Sequence, residues 1–285
     1  IIKVRGLINA LLPEGQKCGS NEEQSKLPVA IANAKLIARS AGGEAPLPLA
    51  PNTTILTNLE MYNGNEQLQQ AYDAKDEIQS QFTQWQEQAD LAKLRINQWN
   101  ELKNAALRCK NLAIYRTIEQ QMESIVSNRS LLVEPSPVSP LLKQAESALR
   151  DAITAKLSEY EDEFNACQRD LMDDANWAKL DESKKQALLD KRSLASVPIV
   201  DLSSSAAVYD AIEATSFEQW NDRISALPGR FDAALKDAIS ELAPKVKHIR
   251  LNKPMIESED DLKAWLTAVE AQLRSELANG PVVPS

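Results

Sequence analysis

NEQLQQAYDAKDEIQSQFTQWQEQADLAKLRI, residues 65–96, is the stretch that decides the fold. Leu68, Ala71, Tyr72, Ile78, Phe82, Trp85 and Ala89 recur at steps of three and four, with one gap at Lys75. At 3.6 residues per turn these positions share one face of an α-helix. The opposite face is Gln, Glu, Asp and Lys. Asn65, just after Gly64, suits an N-cap. No Pro or Gly interrupts 65–127. One helix over 65–96 would run roughly 48 Å.

The pattern extends downstream. Trp99, Leu102, Ala106, Leu107, Leu112, Tyr115, Ile118, Met122 and Ile125 keep a helical stripe whose phase slips near Cys109, where a break is expected. Pro135, Pro137 and Pro140 interrupt it, and Pro140 suits a first helical turn. Leu142, Ala145, Leu149, Ala152, Lys156, Tyr160, Phe164, Cys167 and Leu171 then resume the steps of three and four. A long helix with a single apolar stripe must bury it against a partner. The expected fold is therefore mainly α. Residues 52–175 form an antiparallel coiled-coil-like arm of long amphipathic helices.

On either side the elements shorten. Residues 1–51 read as a helical lead-in and a proline-rich linker. Pro28 can begin a helix carrying Val29, Ile31, Leu36 and Ile37, and Gly42-Gly43 can stop it. Pro46, Pro48 and Pro51 then make an extended crossing. Residues 176–285 read as a small helical subdomain. Asp181, Ser204 or Ser205, Ser216 with Gln219, and Ser258 with Asp261 are its helix starts. Leu262, Trp265, Leu266, Val269, Leu273 and Leu277 line one face of its last helix, which Gly280-Pro281 ends. Leu227-Pro228 interrupts an earlier helix, and the one through Leu242 ends before Pro244. Residues 199–202 and 246–251 are strand-like and can pair as one two-stranded ribbon.

Composition narrows the function. Hydrophobic residues make up 43% and charged residues 26% of 285 residues, so the chain folds. Eight glycines are too few for a turn-rich fold and favour helices. A net charge of −9 argues against a general nucleic-acid coat. Cys18, Cys109 and Cys167 are far apart and form no CxxC, which reads as reduced thiols. No window is apolar enough to span a membrane. The opening Ile1-Ile2-Lys3-Val4, without a starting Met, reads as the edge of a fragment.

No glycine precedes a lysine, so no P-loop is present, and GxGxxG and GxSxG are missing too. His248 stands alone in a Lys/Arg-rich segment with no orienting carboxylate nearby, and reads as a solvated strand histidine. Glu161–Glu163, Asp173-Asp174 and Glu259–Asp261 read as solvated helix faces or charged first turns. No catalytic, cofactor-binding or metal-binding residue is assigned, and no small-molecule substrate is expected. The candidate nucleic-acid contacts are Lys184 and Lys185, within the basic segment 184–192, and Lys245, Lys247, Arg250 and Lys253, within 245–253. Surface solubility is the competing account of both segments.

Several stretches, in order along nearly the whole chain, carry a likeness. They are 41–48 (AGGEAPLP), 64–68 (GNEQL), 131–138 (LLVEPSPV), Asn176-Trp177, 220–231, 259–266 (EDDLKAWL) and Gly280-Pro281-Val282. In these the chain resembles the C-terminal region of BrxC (PglY), the P-loop ATPase of BREX phage-defence systems. The resemblance implies an ATP- and Mg-binding region lying outside this sequence, and no cofactor within it. It also implies bacterial cytoplasm, and self-association or other BREX proteins as partners. The expected role is a non-catalytic assembly region in antiviral defence, with a DNA-contacting module as the alternative.

Overall fold

The computed structural model describes residues 2–242, 247–252, 254–278 and 280–284. The stripes become helices: α1 (Ile2–Leu11), α2 (Glu23–Ser40), α3 (Thr54–Leu59), α4 (Gly64–Asp73), α5 (Lys75–Arg108), α6 (Tyr115–Ser127) and α7 (Val138–Asp173). After one 3-10 turn at Trp177–Lys179 come α8 (Glu182–Lys191), α9 (Ser205–Ala214), α10 (Phe217–Ser225) and α11 (Leu227–Leu242). Strand β1 (Lys247–Ile249), α12 (Glu259–Leu277) and β2 (Val282–Pro284) follow. The mainly α class with one small two-stranded element is as the sequence implies.

The decisive stretch is divided. α4 and α5 meet at Ala74, whose ψ of 4° leaves the helical range, at the gap in the stripe. α5 then runs through position 96 to the expected break, with Cys109 as its C-cap. Asn65 is not the cap. Asn63 holds that position, and the Asn65 side chain instead accepts from Gln24 at 2.7 Å. α2 begins before Pro28, which lies inside it. Proline there forfeits one ladder bond, but the buried Leu27, Ala30 and Ile31 on either side hold the turn in place.

By its contacts the chain forms two units: Ile1–Thr154 with Asp201–Ala214, and Ala155–Val200 with Thr215–Ser285. In the first, Ile8 and Leu11 of α1, Leu27 and Ile31 of α2, and Ile78 and Phe82 of α5 share one core. Gly42 makes the close turn after α2 possible. A Cβ there would lie 2.6 Å from the Leu49 carbonyl oxygen. Arg129 donates to the carbonyls of Gly43 and Leu47, at 2.7 and 3.2 Å, and so ties the proline-rich crossing down.

Arg5 donates to the buried carboxylate of Glu23 at 2.5 and 2.9 Å. That bond is the largest cause holding the Glu23 carboxyl below its ordinary range. A carboxyl depressed in the folded state adds stability that is present above the unfolded value, about 4.3, and lost as pH falls through the folded value. Arg5→Ala is therefore expected to lower the melting temperature at neutral pH and to converge on the parent in acid. Melts at stepped pH check this, and a gap constant with pH would refute it.

Further along the first unit, α5, α6 and α7 pack as an up-down-up triplet. The loop from Cys109 to Ile114 turns the chain back, so α6 is antiparallel to α5. Arg95 reaches Glu134 at 2.5 Å, and the Cys109 thiol lies 3.7 Å from the Ala145 carbonyl oxygen. Both numbers rise together, so the 138–154 part of α7, which belongs to this unit, meets α5 running in the same direction. Ala105, Cys109 and Ala145 are fully buried; small side chains let the helices approach. α9 closes the end of the triplet. Arg108 stacks on the Tyr209 ring and pairs with Glu213, while the Tyr209 hydroxyl donates to Glu146 at 3.3 Å.

The second unit is built around aromatics. Tyr160 meets Trp220 edge-on at 5.9 Å between centroids, and Phe164 meets Phe231 at 5.3 Å. Trp177 is fully buried among them. The caps are in place: Asp181 accepts from Lys184 N, Ser204 from Ala207 N and Ser258 from Asp261 N. Ser216 and Gln219 form a reciprocal capping box. α11 begins at Leu227, so Pro228 lies in a first turn, where it is tolerated. Pro244 lies outside the described residues.

The expected ribbon has a different partner. β1 pairs with β2 in parallel, Lys247 opposite Val282 and Ile249 opposite Pro284. Val197 and Val200 instead pack their side chains on the aromatic core, which anchors that extended stretch without a ladder. β1, α12 and β2 thus make a small β-α-β unit. Val246, expected in the strand, lies outside the described residues.

Candidate interaction site

Five cations of the two basic segments have acidic partners. Lys184 and Lys185 stand in the first turns of α8, an unfavourable end for cations, and pair with Asp181 at 3.6 Å and Glu182 at 2.8 Å. Lys191 and Arg192 share Asp237, at 3.1 and 2.7 Å, and hold its carboxyl below the ordinary range, Arg192 foremost. Lys247 pairs with Glu276 at 2.5 Å. Arg250 is exposed. Lys245 and Lys253 lie outside the described residues. No ion pair among the described residues joins the 184–192 segment to β1. His248 is exposed on β1, opposite Val283.

The nucleophiles sit in settings that suppress them. Cys109 is buried and its thiol is pushed up to about 11 by that burial. Burial foremost also raises Cys18, reinforced by Glu23, and Cys167, reinforced by Glu163. All three are free thiols, and each is shifted away from the reactive thiolate. Tyr209 is pushed up to about 12, by burial and then by Glu146. Asp174 is a capping group, accepting from the backbone of Asn176 and Trp177. Glu259, Asp260 and Asp261 occupy the first turn of α12. Among the described residues no three His, Cys, Asp or Glu converge as a metal site.

Among the described residues, two apolar surfaces are candidates for an interaction role. The first is a groove of about 570 Å³ between α5 and α6. Trp99, Ala106 and Met122 line it, with Leu107 65% and Val126 38% exposed beside them. Its rims are charged, Lys103 on α5 and Glu119 with Glu123 on α6. The second is α12. It carries the predicted stripe, yet none of its residues is buried. The stripe positions alone did not distinguish Leu107 from core. The legible signal is the doublets Ala106-Leu107 and Ile125-Val126, which widen each stripe beyond what one partner can cover.

A second cavity, about 650 Å³, lies between α1, α2 and α4 and is lined by Asn21, Gln24, Asn65 and Gln69. Its buried charge, Glu23, is already engaged by Arg5. No described helix is long and apolar enough to cross a membrane. No protein-family model, no curated protein and no solved structure matches the chain.

Proposed function

We propose that this chain is the non-catalytic assembly region of a BREX anti-phage ATPase, acting by self-association or by docking to other BREX proteins. The observation that supports the assembly role is the apolar groove between α5 and α6, with Leu107 and Val126 exposed beside it, together with an α12 none of whose residues is buried. Exposed apolar area of that kind marks interaction sites. The sequence stretches at 41–48, 131–138 and 259–266 support the BREX assignment. ATP and Mg would then bind elsewhere in the whole protein, in the bacterial cytoplasm.

Sedimentation of the 285-residue chain over a range of concentration, with pull-down of BREX proteins, tests the role. Concentration-dependent association or specific capture is expected. A chain that stays monomeric and captures nothing would refute it. DNA contact through 184–192 and 245–253 predicts affinity falling steeply with salt. Acidic partners at Lys184, Lys185, Lys191, Arg192 and Lys247 offset part of that positive charge locally.

A further inference from the structure

We infer that α9 is a releasable strap: it detaches from α5 and α7 while those helices stay folded, and so bares the Cys109 thiol beneath it. The inference stands apart from the assembly reading. Chain connectivity permits the motion. α9 belongs to the first unit, but Ala155–Val200 before it and the chain from Thr215 after it belong to the second. Undocking α9 therefore moves no backbone that links α5, α6 and α7. Residues 195–202, which lead into it, make no backbone–backbone hydrogen bond among the described residues. Bending that lead breaks no ladder.

The hold on α9 is slight. Among the described residues of α9 only Val208 is buried. Its other contacts are polar. The Arg108 guanidinium lies 4.8 Å over the Tyr209 ring and pairs with the exposed carboxylate of Glu213. A pair open to water on one side holds weakly. The Tyr209 hydroxyl reaches Glu146 at 3.3 Å, long for a hydroxyl donor. A helix of ten residues does not persist in water unaided, so α9 melts once it lifts, and detachment and melting are one event. Segments with so few buried apolar contacts open by themselves, below the cost of global unfolding. What lies beneath is fixed by sequence neighbours. Cys109 follows Arg108, Ala145 precedes Glu146, and the Cys109 thiol is 3.7 Å from the Ala145 carbonyl oxygen. Tyr209, held by Arg108 and Glu146, stands over that contact, and both Cys109 and Ala145 are fully buried. Cys18 is also buried, but within the core that Leu27, Ile31, Ile78 and Phe82 build. It supplies an internal control.

Alkylation of the native 285-residue chain by N-ethylmaleimide tests this, with each thiol followed by mass spectrometry of its own peptide. Cys109 is expected to react about 10-fold or more faster than Cys18, and its rate to rise less steeply with urea, because a strap exposes less surface than the whole unit. Val208→Ala removes two buried methyl groups from the strap. It should speed Cys109 by about 10-fold and leave Cys18 unchanged. Tyr209→Phe should act in the same direction by a smaller factor. Equal rates and equal urea slopes at Cys18 and Cys109 would mean that α9 leaves only when its unit unfolds, which overturns the inference. A fast Cys109 indifferent to Val208→Ala also overturns it, since the opening would then lie elsewhere. Should Val208→Ala unfold the chain, the two urea slopes of the parent decide.

Discussion

Trp177→Ala is expected to cost about 3–5 kcal/mol. The ring is fully buried among Tyr160, Phe164, Leu180 and Phe231. Asp174 accepts from the backbone N–H of Trp177, and so fixes the turn that delivers the indole into the core. Removing the ring leaves a cavity that rigid aromatic neighbours cannot close. The indole nitrogen has no hydrogen-bond partner among the described residues. Trp177→Phe removes that orphan donor along with some volume, and is expected to cost less than Trp177→Ala. Urea unfolding followed by circular dichroism reads both. Losses within about 0.5 kcal/mol for both would place the ring at the surface.

The second expected effect separates two leucines that the sequence treats alike. Leu149→Ala should cost about 2–5 kcal/mol, and Leu107→Ala within about 0.5 kcal/mol. Both sit in helical stripes at steps of three and four. Leu149 is fully buried, however, while Leu107 is 65% exposed beside the groove. The ordering is read from the same unfolding curves. A large loss at Leu107 would mean that the groove is already filled within the chain.

Much of the helix list was legible because its causes are local. Asp181, Ser216 and Ser258 cap the helices they announce, since a side-chain oxygen three residues before a free N–H is a matter of spacing. The break at Cys109 showed as a slip of phase. What spacing leaves open is the third dimension. Residues 65–96 keep one stripe across two helices, because a change of direction at Ala74 leaves the apolar period nearly intact. The partner of β1 was not legible either. Residues 199–202 and 282–284 are both β-branched and extended, and tertiary packing of Val197 and Val200 decides between them. Of the candidate site, the α12 stripe was visible as a pattern. The groove beside Leu107 depends on which neighbours α5 and α6 acquire, and the exposure of α12 on what packs beside it, neither of which spacing along the chain encodes.

Residues 201–214 belong with a unit whose other members end at Thr154. For a chain emerging from the ribosome, this means waiting. When residue 154 is out, Arg108 and Glu146 have no α9 to receive, and sixty more residues must follow before Ala214 arrives. At about 5–20 residues per second that is about 3–12 s of exposure. Neither unit can be cut out as one continuous piece, so truncations at 154, 200 or 214 each leave a nascent surface bare. Expression of such pieces would show aggregation first, whatever the intact protein does.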